Sequence, residues 1–316
     1  MKWFAVSLLI AGQALAQPYP SKAIRLVVGF APAGAADVVA RTLQEPMQRA
    51  LGQPVVVDNK PGAGSSLAAE FVAKSAPDGY TVLIASPSSI FVNPLINPNL
   101  GYQLRDLHPV TKVSSSPLIV AVNPAMGVGS LRELIAQAKK NPGKLNYASS
   151  GNGSAPHMAA VLFQRVAGVE MVHVPYKGGA PAVQSVVAGD TQLSFATPPS
   201  VLSLVQSGRL KALAVTSRER TPLVPGVPGM AEAGLPDYAI SFWYGFFVPA
   251  GTPPEAVRKL YEATDQALKA PQTAKGLAPH GTEASGSRSP EDFASFLAED
   301  AKLWARLVKE SGVKLD

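Results

Sequence analysis

The chain has 316 residues, 47% of them hydrophobic and 16% charged, with 28 Lys+Arg against 22 Asp+Glu, a formal charge of +6 and no cysteine. That length suits two domains or one large one with a core that needs no staples, and the composition excludes a disordered chain, a disulfide scaffold, thiol chemistry and Cys-ligated metal or iron–sulfur sites. The basic residues are scattered, with no run longer than Lys139-Lys140, so no nucleic-acid face is expected.

Lys2 precedes an apolar run from Phe4 to Ala11, and Ala14-Leu15-Ala16 offers a small-x-small cleavage site before Gln17. This is the layout of a secretory signal peptide over residues 1–16. The run is too short to span a bilayer, no later one reaches about 18 residues, and no cysteine is present for a lipid anchor. The exported chain is expected to be soluble.

From Ala23 onward, short β-rich runs alternate with helical patterns, the arrangement of a parallel α/β sheet. Strands are expected over Ile24–Phe30, Val55–Asp58, Thr81–Ala85, Leu118–Asn123, Leu145–Ala148, Met171–Val174, Gln192–Ala196 and Leu210–Thr216. Helix starts are marked by Ser130-Leu-Arg-Glu133, Thr252-Pro-Pro-Glu255 and Ser289-Pro-Glu-Asp292. The last stretch of the chain reads as mostly helical.

One feature occurs twice. Ala31-Pro-Ala-Gly-Ala-Ala-Asp37 follows the first strand and opens a helix, and Ser149-Ser-Gly-Asn-Gly-Ser-Ala-Pro-His157 does the same in the second half. Small residues let an anion approach backbone N–H groups at a positive helix terminus, at the strand ends where open α/β sheets place ligands. Each loop is also readable as a plain structural turn, and Asp37 either caps its helix or meets a ligand's donor group.

The second loop fails as a dinucleotide fingerprint, because position 156 is Pro, and it lacks the Lys-Ser/Thr ending of a P-loop. Its serines offer neutral donors without a general base, which suits holding a carboxylate better than transforming one. Gly64-Ser65-Ser66-Leu67-Ala68 falls one residue short of a nucleophile elbow. The four histidines form no HExxH pair, so no metal site is expected, and His157 alone sits close to a loop of interest. Trp243-Tyr244 and Tyr176-Lys177 place aromatics and a cation beside further loops, with core packing and a solvated lysine as the ordinary alternatives.

A wider set of residues resembles one family. Pro18-Tyr-Pro-Ser-Lys22, Phe30-Ala-Pro-Ala-Gly34 with Asp37, Asn59-Lys-Pro-Gly-Ala-Gly64, Pro77-Asp-Gly-Tyr80, His173-Val-Pro-Tyr-Lys-Gly178, Ala212-Leu-Ala-Val-Thr216, Glu232-Ala-Gly-Leu-Pro236 and Pro249-Ala-Gly-Thr-Pro253 run through the whole mature chain. In this order they are similar to the Bug-type (Bordetella uptake gene) extracytoplasmic solute-binding proteins of tripartite tricarboxylate transporters. The resemblance implies a two-lobed α/β fold of the periplasmic-binding-protein type II kind, with mostly parallel sheets and a ligand cleft between the lobes. Lobe 1 would comprise residues 17–121 and 244–316, and lobe 2 residues 122–243.

The same resemblance implies a monomeric periplasmic receptor that is not an enzyme and needs no cofactor or metal. It would capture a small di- or monocarboxylic acid between its lobes, partly through ordered waters, close around it and deliver it to permease subunits. Phe30, Ala33, Gly34, Ala35, Ala36 and Asp37 match the family's first binding loop, and Ser149, Ser150, Gly151, Asn152, Gly153 and Ser154 its second. His157, Tyr176 and Lys177 sit in matching motifs, and Ser88 and Ser89 follow the third strand at the same sheet edge. At Ala33 the family usually has Gly; with Ala35 and Ala36 the added methyls argue against a highly charged ligand such as citrate. Two other uses of such lobes stay open in the sequence: a sensory receptor contacting a signalling ectodomain, and a hydrolase using Ser66 or Ser154, for which no base is legible.

Overall fold

In the computed structural model, which describes residues 18–311 apart from 98 and 239, the chain builds two β-sheets flanked by helices. The leader expected over residues 1–16 lies outside the described residues. The first half of the first sheet is β1 (Ile24–Val28), α1 (Ala35–Leu51), β2 (Val55–Asn59), α2 (Ser66–Ala73), β3 (Thr81–Ala85), α3 (Asn93–Ile96) and β4 (Leu107–Pro117). The second sheet is formed by β5 (Ile119–Val122), α4 (Leu131–Lys140), β6 (Asn146–Ser149), α5 (Ala155–Ala167), β7 (Val172–Pro175), α6 (Gly179–Ala188), β8 (Leu193–Ala196), α7 (Pro198–Gln206) and β9 (Lys211–Val215). After α8 (Met230–Ala233) the chain returns through β10 (Ser241–Pro249), α9 (Pro254–Lys269), α10 (Pro271–Leu277), β11 (Glu283–Ala284) and α11 (Pro290–Ser311).

Strand order is β11-β4-β10-β3-β1-β2 in one sheet and β7-β6-β8-β5-β9 in the other. Parallel pairing holds for β2-β1-β3 and for β7-β6-β8. The remaining pairs are antiparallel, which corrects the mostly parallel expectation. The physical reason is the route of the chain: β4, β5 and β10 carry it from one sheet to the other, so they enter their sheets against the βα direction.

Local chemistry sets the helix limits. The Ser130 hydroxyl accepts the Glu133 N–H at 3.3 Å, and the Glu133 carboxylate reaches back to the Gly129 N–H at 2.6 Å. Ser289 accepts the Asp292 N–H at 3.1 Å and starts α11. Thr252 is not a cap: its hydroxyl donates to the Pro249 carbonyl at 2.7 Å, and α9 begins at Pro254 with its fixed φ. The buried stripe Val39, Ala40, Leu43 and Met47 seats α1 on the first sheet, while Val183, Val186 and Val201 of α6 and α7 cover Ile119, Ala121 and Ala148 in the second.

The two crossings lie side by side, with Pro117 opposite Ser241 in the β4–β10 ladder. Buried Thr216 ties them together: its hydroxyl accepts the Leu118 N–H and donates to the Ile240 carbonyl, both at 2.8 Å. α11 packs on β4 and also on α5, so it touches both halves. Among the described residues, no helix is long and apolar enough to cross a membrane.

Candidate ligand-binding site

Four helix N-termini open onto one cavity of about 490 Å³ between the sheets: Gly34 and Ala35 of α1, Ser154 and Ala155 of α5, Gly178 and Gly179 of α6, and Thr197 and Ser200 of α7 line it. None of the four starts has a side-chain cap. First-turn N–H groups of α1, α5 and α6 therefore remain available apart from the Pro156 and Pro181 positions, whereas α7 begins with Pro198-Pro199 and its Ser200 N–H bonds the Thr197 carbonyl, so α7 contributes only the roughly half positive charge that each terminus carries. Ser154 adds a hydroxyl that is fully buried and has no hydrogen-bond partner among the described residues. Phe30, Pro32, Phe242 and Tyr244 make the walls apolar, Ser88 and Ser150 contribute further hydroxyls, and among the described residues no charged side chain lines the cavity.

The first loop is held from below. Ala33 takes a left-handed backbone (φ +63°), the conformation a glycine there would adopt without cost. Its N–H donates to the Asp37 carboxylate at 2.9 Å, which also accepts Arg41 Nε at 2.8 Å and Asn59 Nδ2 at 2.9 Å. Asn59 donates in addition to the Phe30 carbonyl. Burial opposes the Asp37 charge, but the bonds from Arg41, the Ala33 amide and Asn59 outweigh it and hold the carboxyl below its usual value. Asp37 is a brace within the loop, and neither it, Ala33 nor Ala36 lines this cavity or the one beside it.

The second loop is shaped by imidazoles. His157 accepts the Gly153 N–H through Nδ1 at 3.1 Å and stacks on His173, ring centroids 3.8 Å apart, which stacks in turn on Tyr147. His173 Nε2 lies 2.6 Å from the Ser149 hydroxyl, which accepts the Gly151 N–H. Ser149 and His157 are thus spent within the loop and do not line the cavity. The Ser149–His173 pair has the partners of a nucleophile and base, but Ser149 is fully buried, while Ser66 accepts Asn93 Nδ2 at 2.6 Å. Gly153 faces the first sheet's side of the cleft: a Cβ there would stand 2.7 Å from Asn93 Oδ1 and 3.1 Å from Ile96.

Burial, with His173 as a lesser contributor, lowers the His157 pKa to about 3, and burial lowers that of His173 to about 4. Because both folded values lie below the unfolded value of about 6.5, the unfolded chain binds more protons in this window. Their stabilisation is full above pH ~6.5 and is lost progressively as pH falls toward the folded values. A thermal melt series from pH 7.5 to 4 is expected to show falling Tm, with a shallower slope in His157→Asn. An identical slope in that variant would remove the pair from the acid response.

A second cavity of about 1500 Å³ adjoins the first and is bounded by Gly62–Ser66, Gly151, Asn152, Tyr176 and Lys177. Ser89 lines neither, its hydroxyl donating to the Ser86 carbonyl. The α6 and α7 starts and the paired walls Phe242 and Tyr244 were not singled out as ligand positions by the sequence. Gly178-Gly179 and Thr197-Pro-Pro carry the signal of helix starts, but only the fold aims them at one point.

Residues 39–313 match the model of the tripartite tricarboxylate transporter family receptor. The chain is 38% identical over 308 residues to protein BugT of Bordetella pertussis, covering 97% of this chain and 94% of that protein. It resembles the structure of R. palustris Rpa4515 with adipate at TM-score 0.89 and 32% identity, covering 94% of this chain and 99% of that one. The periplasmic binding protein BugD is similar at TM-score 0.87 and 32% identity, with 94% and 99% covered.

Proposed function

The chain belongs to the tripartite tricarboxylate transporter receptor family, and on that premise we propose that it is a periplasmic receptor for a small organic acid. Its two-sheet α/β architecture is that of the periplasmic binding proteins. The observation that carries the reading is the meeting of four uncapped helix N-termini and the unpartnered Ser154 hydroxyl around a cavity without charged side chains. Such a site offers a carboxylate charge-assisted bonds from backbone donors, and its apolar walls accept the carbon skeleton beside it. A similar protein of this fold holds adipate, which supports a carboxylate here.

The acid is bound and released unchanged, and the liganded form hands it to permease subunits. Closure of two lobes on a ligand is an established transition, and it excludes water from the donors it brings together. The test is a thermal-shift panel of mono- and dicarboxylic acids with their amides as controls. A hundredfold excess over Kd is expected to raise Tm by roughly 5 °C for acids, and amides are expected to leave it unchanged. Ser154→Ala is expected to weaken binding about tenfold, the worth of a hydrogen bond to a charged group, without lowering ligand-free stability. Turnover of an ester or amide would overturn the receptor reading.

A further inference from the structure

The two cavities share Phe30, Ala31, Ser150 and Gly178 in their linings. At this neck the halves meet without bulk: a Cβ on Gly178 would lie 3.9 Å from the Ala31 methyl. Their chemistry differs. The first holds no charged side chain, whereas Lys177 stands in the wall of the second and makes no hydrogen bond or ion pair among the described residues. Opposite it, Ala63, Gly64 and Ser65 run with left-handed φ of +46°, +60° and +77°. Backbone of this kind persists where the surroundings impose it. The Ser65 hydroxyl at this wall is buried and has no partner among the described residues, and Gly29 makes room for it, since a Cβ there would fall 1.9 Å away.

We propose that Lys177 determines specificity by receiving the far charge of a dianionic acid in the second cavity, while the near carboxylate sits at the helix N-termini of the first. This rests on the receptor reading above. Two carboxylates do not share the first cavity, because like charges in a desolvated space repel and that cavity has no cation to compensate a second one. An apolar linker of a few methylenes suits the walls at Phe30 and Ala31. The Lys177 ammonium, on a flexible stem at the solvent-facing edge, then screens the second charge in the cavity that Ser65 and Asn152 also line.

The experiment is calorimetric titration of adipate and hexanoate, matched in chain length, against the wild type, Lys177→Met and Lys177→Arg. The wild type is expected to favour adipate, and Lys177→Met to weaken adipate about fivefold, the upper range for a solvent-facing ion pair, with hexanoate unchanged. Lys177→Arg is expected to retain the preference, and added salt to weaken adipate selectively. Equal loss for both acids, or no loss for either, overturns the role of Lys177 and leaves the receptor reading standing. Failure of the wild type to bind any acid of the wider panel overturns both.

Discussion

Gly153→Leu is expected to raise the Kd for the acid by about two orders of magnitude while costing about 1 kcal/mol or less of ligand-free stability. The reason lies across the cleft. A side chain at Gly153 meets Asn93 Oδ1, Ile96 and Val92 of the other half, at 2.7, 3.1 and 3.2 Å from its Cβ, so it stands in the way of the halves approaching as they do here. Forcing a branched side chain into that gap costs about 2–3 kcal/mol of closure free energy. Gly168→Leu is the control, because Gly168 has a similar φ of +61° and nothing within 4 Å of its Cβ position. It bears the same backbone penalty and is expected to keep the affinity. Titration of both variants decides the matter, and wild-type binding by Gly153→Leu would refute the closed-cleft geometry.

Asp37→Ala is expected to cost about 3 kcal/mol of stability, measured by urea unfolding. The carboxylate is almost fully buried and accepts from the Ala33 amide, Asn59 and Arg41, so removing it breaks three hydrogen bonds to a charged acceptor that hold the loop. The Arg41 side chain is half exposed, which leaves the ion pair a small share of the loss. Since the folded carboxyl is held below its ordinary value, this stabilisation is complete above pH ~4 and disappears as pH falls further. Asp37→Asn, which keeps one acceptor, is expected to lie between. Unchanged stability with lost binding would mean that Asp37 meets the ligand directly.

The eight strands read from apolar runs are all present: burial of β1, β3, β5, β6, β8 and β9 writes itself into composition, while the edge strands β2 and β7 keep apolar residues though partly exposed. β4 and β10 escaped that criterion. β4 carries His108, Pro109, Lys112 and three consecutive serines, and β10 is an aromatic run interrupted by Gly245. Both are crossing strands whose pairing is set by chain route. In the site, the two small-residue loops were legible because close backbone approach demands small side chains. His157 was harder: adjacency to the loop is visible in the sequence, whereas its bond to the Gly153 amide and its stack on His173 depend on β7 lying beside β6. The contributions of α6 and α7 were invisible for the same reason, since nothing local in Gly178 or Thr197 says which other helix ends they face.

The Thr216 bridge has a mechanical consequence. With Leu118 and Ile240 fastened to one side chain, the outgoing and returning connections cannot slide independently. Any rotation of one half against the other must therefore carry both connections together, and it must also disturb the contacts that α11 makes with β4 and α5.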